Sequence, residues 1–485
     1  MRTINPLEKR PTTMRILVAI ANHGDKNRHF LEQLLASYRA MSHDVDIVVL
    51  SDRPKYDLGD DIEVVVGAPT ANPWSLPFAH RAIFAARAQQ YDLFIYSEDD
   101  TLIEQRHVDA YMEVSECLPA DQVAGFLRFE RHPSGARSIC SVHSHYRWDS
   151  ESVAVIEGET FASFLNEHSA CYMLTSAQLA KALASGGFMV PAHEGRYDML
   201  VSAATDPYTS CGLQRRICVS RIEDFMVCHL PNVYLGRLGI TDAEFTLQID
   251  ALEAIAQGKL DAGVLVDARS SMSTGKWDLP CYPKPTAAML EAVASISGRV
   301  LSVGCTAGEL ERSLFGDACD VVGIPLDNVI GALARSRGIG TTVPDLEAAI
   351  ESLRGRRFEV ILIHQILQHF EEPVTVLLKL KPLLTAGGRM IIVVPNHSHY
   401  RLQQRFRRST LPLPEDHSRD GVHGTNVRIV AGWLRAAGLH SEATRHEVRP
   451  KFSRFNGLLP TSLQAWLAPT MIVRAVSDQP VADVV

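Results

Sequence analysis

The stretch Tyr91-Asp-Leu-Phe-Ile-Tyr-Ser-Glu-Asp-Asp100 joins a short apolar run to three consecutive acids. The run Leu93–Tyr96 predicts a buried strand, and Glu98, Asp99 and Asp100 follow at its carboxyl end, where open α/β sheets bind ligands. Carboxylates this close repel one another unless a cation neutralises them, and oxygen ligands suit Mg²⁺ or Mn²⁺. The stretch therefore predicts a metal-binding corner. The alternative is a solvated acidic loop or an acid-rich helix start.

Strand and helix patterns alternate on both sides of this stretch. The strands are predicted at Ile16–Ile20, Val45–Leu50 and Ile62–Val66, and the helices at Phe30–Met41 and Phe78–Gln90. Such alternation indicates a parallel sheet with crossover helices.

A second alternation runs from Arg299 to about Val476, so we expect two α/β domains, the first with a Rossmann-type sheet and the second with a doubly wound sheet. The predicted division is a polar leader at 1–13, a first domain at 14–240, a helical connector and linker at 241–297, a second domain at 298–476 and a tail at 477–485.

Composition narrows the class of protein. The chain is 46% hydrophobic and 21% charged, and its formal net charge of −8 argues against a dedicated nucleic-acid binder. No apolar run approaches the roughly 18 residues that span a bilayer, and the first residues lack the pattern of a secretory signal. The nine cysteines are scattered without a regular spacing. Unpaired thiols fit a reducing compartment, so we expect a cytoplasmic protein.

The first domain resembles the GT-A-type glycosyltransferases over roughly residues 15–240. The acidic stretch Glu98-Asp99-Asp100 matches their metal-binding DxD motif, with Glu in the first position. Further on, Gly186-Gly187-Phe188 followed by Glu194-Gly-Arg-Tyr-Asp198-Met-Leu200 is similar to the acceptor segment of these enzymes, although Tyr197 stands where an acid is common.

The resemblance implies roles for several of these residues. Glu98 and Asp100 would hold Mn²⁺ or Mg²⁺, with His229 as a further ligand, and Asp99 would lie on the donor side. The structural alternative for His229 is a hydrogen-bonded core histidine. Asp198 occupies the position of the catalytic base of inverting members, and its alternative is an acid at a helix N-terminus. Glu194 competes with it for the role of base, and the sequence leaves an inverting or a retaining outcome open.

Polar residues after the first two strands suggest the donor site. Asn22 and Asp52 can hydrogen-bond a nucleobase or ribose, and Arg53 can meet a phosphate, although such residues also serve ordinary turns. For the acceptor we expect an aromatic face for a sugar ring and polar groups for its hydroxyls, from Trp148, Asn166, Glu167 and His168.

The second domain resembles the class I S-adenosylmethionine-dependent methyltransferases over about residues 298–445. The resemblance rests on three segments, Val300–Gly308 as the strand and glycine turn of motif I, Phe358–Pro373 as the fourth strand, and Ala386–Asn396 as the next strand. It implies S-adenosylmethionine contacts at Gly304, Gly308, Asp327 and Asp345.

Three departures from the methyltransferase pattern predict weakened cofactor binding. Ser302 stands where motif I has an acid, Thr306 stands where it has a central glycine, and Pro325 stands where an acid usually takes the ribose hydroxyls. A Cβ at Thr306 obstructs the close backbone approach that glycine permits. Asp327 would partly replace the lost acid. His364 and His369 are candidates for a base, with a role in the fold as the alternative.

Residues 400–455 hold eleven Arg or Lys against five Asp or Glu, including Arg405, Arg407 and Arg408. Such a patch would meet the phosphates of a lipid-linked acceptor or an anionic membrane surface, which implies a peripheral place at the inner membrane face. A solvated charged face is the default interpretation.

We therefore predict a metal-dependent glycosyltransferase that moves a sugar from a nucleotide-sugar donor to a glycan or lipid-linked acceptor, with a methyltransferase-like domain. The alternative is an S-adenosylmethionine-dependent glycan O-methyltransferase whose N-terminal domain only binds the sugar substrate. A third class is a non-catalytic scaffold in which both folds have decayed. Nucleic acid is not expected as a partner.

Overall fold

The computed structural model describes residues 13–139, 147–195, 197–236, 239–266, 281–294, 296–400, 417, 421–448 and 460–477. The chain forms two compact units, unit 1 from residues 1–144 and 152–246, and unit 2 from residues 145–151 and 247–485. Residues 1–12 of the predicted leader, 267–280 of the predicted connector and linker, and 478–485 of the predicted tail lie outside the described residues. Both units combine strands with helices, so the predicted α/β class is confirmed.

The strands of unit 1 carry most of its core. In chain order they are β1 (Arg15–Asn22), β2 (Asp44–Ser51), β3 (Ile62–Val66), β4 (Leu93–Glu98), β5 (Thr101–Leu102), β6 (Gln122–Ala124), β7 (Leu127–Arg131), β8 (Arg137–Ile139), β9 (Trp148–Ile156, whose first four residues belong to unit 2), β10 (Glu159–Phe164), β11 (Cys171–Thr175), β12 (Gln214–Cys218), β13 (Met226–His229) and β14 (Ile240–Thr241). The helices are α1 (Arg28–Arg39), α2 (His80–Ala86), α3 (Gln105–Cys117), α4 (Ser176–Ala184), α5 (Met199–Thr209) and α6 (Asp242–Ala256, which continues into unit 2), with 3-10 helices at Pro73–Ala79 and Ile222–Phe225.

The central sheet of unit 1 has the strand order β11-β4-β1-β2-β3. Strand β1 is parallel to β2 and to β4, and β11 closes the edge in the antiparallel sense. Residues Ile16–Ile20 of β1 are completely buried, as their apolar run predicts. Ala21 is in register with Glu98, so Asn22 and Asp99 leave the sheet at the same edge.

Two smaller sheets, in the orders β6-β12-β10-β9 and β14-β8-β7-β13-β5, complete unit 1. Strand β13 pairs antiparallel with β5, and this pairing sets His229 opposite Thr101. The histidine therefore lies beside the residue that directly follows the three acids.

Unit 2 contains one seven-stranded sheet. Its strands are β15 (Gly298–Cys305), β16 (Cys319–Pro325), β17 (Gly340–Thr341), β18 (Phe358–His364), β19 (Leu384–Pro395), β20 (Leu439–Glu447) and β21 (Thr470–Ser477). Its helices are α7 (Ala287–Val293), α8 (Glu309–Phe315), α9 (Asn328–Ser336), α10 (Leu346–Ser352), α11 (Pro373–Leu380), α12 (Val427–Ala436) and α13 (Thr461–Leu467), with 3-10 helices at Leu367–His369 and Lys381–Leu383.

The strand order of this sheet is β17-β16-β15-β18-β19-β21-β20. Strands β15 to β19 are mutually parallel, and β21 lies antiparallel between β19 and β20. The chain reverses its direction of winding between β15 and β18, and open α/β sheets bind ligands at such a point.

Two further findings concern compartment and membrane. In the described parts of the chain, no helix is long and apolar enough to cross a bilayer. The eight cysteines within those parts are free thiols, in agreement with the absence of a disulfide pattern.

Close packing around Gly187 provides a test of the fold. A Cβ at this position would overlap the backbone carbonyl of Ser210, so Gly187→Ala should destabilise unit 1 by about 2 kcal/mol or more. The matched control is Gly195→Ala in the same segment, where the added Cβ meets only the His193 side chain at 3.6 Å. Urea unfolding of both variants measures the difference, and an unchanged midpoint for Gly187→Ala would contradict the packing described here.

Candidate functional site

The carboxyl end of β15 and the turn that follows it have a constrained backbone. Gly304 and Gly308 have φ values of +74° and +91°, which favour glycine. A Cβ at Gly304 would lie 2.8 Å from Cδ1 of Ile366. The chain thus passes tightly from the carboxyl end of β15 into α8.

A buried carboxylate supports this turn from the helix side. Glu311 is completely buried, and its Oε1 accepts hydrogen bonds from Ser302 Oγ at 3.0 Å and from the Thr306 backbone N at 3.2 Å. Its Oε2 accepts from Thr306 Oγ1 at 3.0 Å. The two hydroxyl residues that depart from motif I are therefore both bound to Glu311.

The carboxyl group that follows β16 is also bound by other groups of the chain. Asp327 begins α9, where its Oδ1 accepts from the Ile330 backbone N at 2.7 Å. Its Oδ2 lies 3.4 Å from Nε of Arg147, and both side chains are buried. Burial raises the pKa of Asp327, and Arg147 opposes that shift. A ribose contact by Asp327 would therefore have to displace this ion pair.

The remaining residue predicted to contact the cofactor, Asp345, is exposed and begins α10, where its Oδ1 accepts from the Ala348 backbone N at 2.7 Å.

At the end of β18, His364 is buried, and burial lowers the pKa of its imidazole to about 4. The next residue, Gln365, has a φ of +51°, and the buried His369 lies in the 3-10 helix that follows. His364 therefore stays neutral at neutral pH.

Comparison with known proteins agrees with this geometry. The family model of methionine biosynthesis protein MetW matches residues 285–416. A ubiquinone biosynthesis O-methyltransferase of Paraburkholderia phymatum is 33% identical over 158 residues, which cover 31% of this chain and 68% of that protein. Through this similarity the chain belongs to the class I methyltransferase family.

Other matches are of the same kind. A ubiquinone biosynthesis O-methyltransferase of Xylella fastidiosa is 28% identical over 195 residues, 36% of this chain and 78% of the relative. An S-adenosylmethionine-dependent methyltransferase structure from Mesorhizobium loti covers 38% of this chain and 94% of its own, at 16% identity and a TM-score of 0.29.

These relatives correct the main functional prediction. They are methyltransferases, so they favour the predicted alternative and give no support to a glycosyltransferase. The resemblance of unit 1 to GT-A enzymes stays a prediction, as do the site residues assigned from it.

Unit 1 nevertheless contains a cleft at the predicted corner. Its volume is about 330 Å³. The cleft is lined by Ala21, His23, Asn27, Pro73, Trp74, Leu76, Pro77, Glu98, Asp99, Asp100 and Leu200. The three consecutive acids thus face one cavity together with an indole, and the interpretation as a solvated acidic loop is wrong for this stretch.

Hydrogen bonds from two asparagines fix the middle acid. Asp99 Oδ2 accepts from Asn22 Nδ2 at 2.5 Å, and Asp99 Oδ1 accepts from Asn27 Nδ2 at 2.8 Å. Asn27 also lies 3.5 Å from Asp100 Oδ2. Burial raises the pKa of Asp99 to about 6, against the lowering effect of the bond from Asn27. Asn22 therefore contacts the acidic corner, and its role on the donor side stays a prediction.

His229 lies at the same corner. Its Nε2 is 3.5 Å from Asp100 Oδ2, and its Nδ1 is 2.6 Å from Oε1 of the buried Glu130. A carboxylate behind a histidine fixes the orientation of its ring, as it does in metal sites. Among the described residues, however, no group of three or more His, Cys, Asp or Glu side chains is arranged to hold a metal ion. The predicted set of Glu98, Asp100 and His229 is therefore not assembled as a ligand group.

Glu98 has the most perturbed carboxyl group of the corner. Burial chiefly, and then repulsion from Asp100, raise its pKa to about 8, and the cationic Arg128 opposes the shift. Asp198 contributes a smaller repulsion. The Glu98 side chain is thus largely protonated at neutral pH unless a cation or a cationic ligand binds.

The two candidates for the base differ in place. Asp198 begins α5, and its Oδ1 accepts from the Val201 backbone N at 3.1 Å, which is the helix-start role predicted as its alternative. It remains close enough to act on Glu98. Glu194 is exposed in the segment before α5.

Asp52 and Arg53 are bound to each other after β2. Arg53 Nη2 donates to Asp52 Oδ2 at 2.8 Å, and the Gly24 backbone N donates to Asp52 Oδ1 at 2.8 Å. Burial would raise the pKa of Asp52, but these bonds outweigh it and lower the pKa to about 2. Neither residue lines the cleft.

The predicted acceptor residues are mostly structural. Trp148 is buried, and its Nε1 donates to Gln248 at 2.9 Å within unit 2, so its face is unavailable to a sugar. Asn166 and His168 are also buried, and Asn166 Oδ1 accepts from the His168 backbone N at 3.0 Å. Glu167 accepts a hydrogen bond from the Tyr197 hydroxyl. The indole that does line the cleft belongs to Trp74, which is half exposed.

Several residues of these sites were not predicted. Asn27 precedes α1 like an ordinary helix cap, and Glu130 and Arg128 are charges inside a short strand. A charged residue at an inward position of a strand was the available signal for Glu130. Glu311, in the first turn of α8, has no such signal because acids are common there.

The raised pKa of Glu98 predicts a pH-dependent stability. The unfolded carboxyl titrates near about 4.3, so between that pH and about 8 the folded state holds a proton that the unfolded state has lost, and stability falls as pH rises. In chelator-treated protein, the melting temperature of Glu98→Gln should match that of the wild type near pH 4 and exceed it by a growing margin up to pH 8.5. The exposed Glu194→Gln is the control. Equal pH slopes for wild type and Glu98→Gln would refute the burial argument.

Proposed function

We propose that this chain is an S-adenosylmethionine-dependent O-methyltransferase with its catalytic site in unit 2. The observation that carries the proposal is the glycine turn at the carboxyl end of β15, at the point where the sheet reverses its winding. The curated relatives, which are O-methyltransferases by name, support the same reaction class. Bound S-adenosylmethionine would supply an activated methyl group for transfer to a hydroxyl oxygen.

The fit of a cofactor to this turn follows from its geometry. The positive φ of Gly304 and Gly308 lets the backbone turn tightly from β15 into α8, and a Cβ at Gly304 would collide with the Ile366 side chain. Backbone N–H groups at the start of α8 would bind the carboxylate of an amino acid moiety. The missing acid at Pro325 takes away one contact to the ribose, so affinity in the micromolar range is expected rather than tighter binding.

The histidine at the end of β18 would orient the acceptor. An imidazole with a pKa of about 4 is neutral at neutral pH but is a weak base. His364 therefore suits hydrogen bonding to a hydroxyl more than full proton removal.

The acidic cleft of unit 1 would recognise the acceptor. The exposed indole of Trp74 offers a flat apolar face, and the neutral carboxyl of Glu98 both donates and accepts hydrogen bonds. This combination suits a polyhydroxylated acceptor such as a glycan, which is the acceptor named in the predicted alternative.

Cofactor binding tests the proposal directly. Calorimetry on the full chain should show S-adenosylhomocysteine bound with a dissociation constant of about 1–100 µM. Gly304→Val should abolish this binding because its side chain would collide with Ile366. Gly432→Ala on α12 is the control, since its Cβ meets open space. A wild type that binds neither S-adenosylhomocysteine nor S-adenosylmethionine at millimolar concentration would exclude the proposed activity.

A glycosyltransferase activity of unit 1 is the second candidate, and one observation favours it. Asp100 and His229 converge at the edge of the acidic cleft, and Asp100 Oδ1 has no hydrogen-bond partner in the described structure. These groups suit a divalent cation whose remaining ligands come from the diphosphate of a nucleotide-sugar donor. A glycan or lipid-linked acceptor would belong to the same hypothesis.

The second candidate predicts coupled binding. Mn²⁺ alone should bind weakly to the chain and at least tenfold more tightly with a nucleoside diphosphate, and Asp100→Asn should remove the coupling. The control is Asp109→Asn, a half-exposed acid on α3 away from the cleft-lining residues. If metal and nucleotide bind to the wild type independently, the glycosyltransferase candidate is refuted and only the methyltransferase proposal remains.

A further inference from the structure

The most unusual group in unit 2 is the carboxylate of Glu311. It is completely buried on the third residue of α8, and a buried carboxylate is costly unless hydrogen bonds compensate it. Its compensation comes from Ser302 on β15 and from both the backbone N–H and the hydroxyl of Thr306 in the turn.

The donors are the two departures from motif I. The methyltransferase pattern places an acid on the strand at position 302 and a glycine in the turn at position 306. In this chain both positions carry hydroxyl groups, and both hydroxyls point to the same carboxylate, at 3.0 Å each. If the two positions had lost their motif residues independently, there would be no reason for both hydroxyls to bind the same carboxylate.

We propose that Glu311 is the positioning residue of the cofactor turn, and that the acid of the strand has been relocated to the helix with Ser302 and Thr306 as its matched donors. This inference rests on the proposed methyltransferase function. Glu311 does not itself touch the cofactor. It holds the Thr306 N–H and thereby fixes the path of the backbone between Gly304 and Gly308.

Other hydrogen bonds hold the second half of the turn. The Ala307 backbone N donates to the Cys281 carbonyl at 3.0 Å, and Arg337 Nη1 donates to the Ala307 carbonyl at 2.6 Å. These bonds hold the residue after Thr306, whereas the backbone N–H and the hydroxyl of Thr306 both donate to Glu311. Loss of the carboxylate would therefore release the middle of the turn while its second half stays anchored.

The relocation predicts a rescue that a general role in stability does not. Glu311→Gln keeps the volume but replaces one acceptor oxygen by a donor, and it should weaken S-adenosylhomocysteine binding at least tenfold. Ser302→Asp introduced together with Glu311→Ala returns a carboxylate to the strand, and it should recover most of the affinity lost in Glu311→Ala alone. Glu351→Gln, at an exposed acid on α10, should change binding by less than twofold.

Calorimetry on the full chain measures the affinities, and melting temperatures confirm that each variant is folded at the titration temperature. If Glu311→Gln binds within twofold of the wild type, or if the double variant recovers stability without affinity, the positioning role is refuted while the methyltransferase proposal stands. A wild type that gives no binding signal refutes the proposed function and this inference together. Rescue of affinity in the double variant supports both.

Discussion

Parallel pairing of β15 with β16 on one side and with β18 on the other is the constraint on which unit 2 depends. It brings three strand ends to one edge of the sheet, where the turn at Gly304, the cap at Asp327 and the imidazole of His364 emerge. Unit 1 uses the same constraint, because the register of β1 with β4 sets Asn22 beside Asp99. In both units the chemistry lies where parallel strands end.

Buried charge is the second common element, and each unit compensates it differently. In unit 2 the carboxylate of Glu311 is satisfied by three donors from its own turn, so it can remain rigid. In unit 1 the carboxyl of Glu98 lacks such a set, and burial with repulsion from Asp100 raises its pKa to about 8. A buried acid whose oxygens all accept hydrogen bonds supports the backbone that donates them. A buried acid with a raised pKa that faces a cleft is a candidate for ligand binding.

The sequence was a good guide to strands and a poorer guide to side-chain partners. The apolar run at Ile16–Ile20 and the glycines of motif I predicted buried strands and a tight turn because burial and positive φ restrict residue type strongly. The predicted helix at 78–90 is only His80–Ala86, because the segment with Pro73 and Pro77 forms a 3-10 helix. The acceptor role predicted for Trp148 is wrong, because the sequence does not distinguish an aromatic residue that faces a sugar from one that faces the core. The sequence predicts lost contacts at Ser302 and Thr306, because the acid that pairs with them, Glu311, lies nine and five residues further along the chain.

The basic stretch that would meet phosphates or a membrane, with Arg405, Arg407 and Arg408, lies outside the described residues. For unit 2 we propose that a methyl donor binds at the turn of β15. Hydrogen–deuterium exchange of the full chain with and without S-adenosylhomocysteine measures this binding. We expect slower exchange confined to peptides that contain residues 302–311 and the ends of β16 and β18. Unchanged exchange there, or protection only around Asp99 in unit 1, would contradict it.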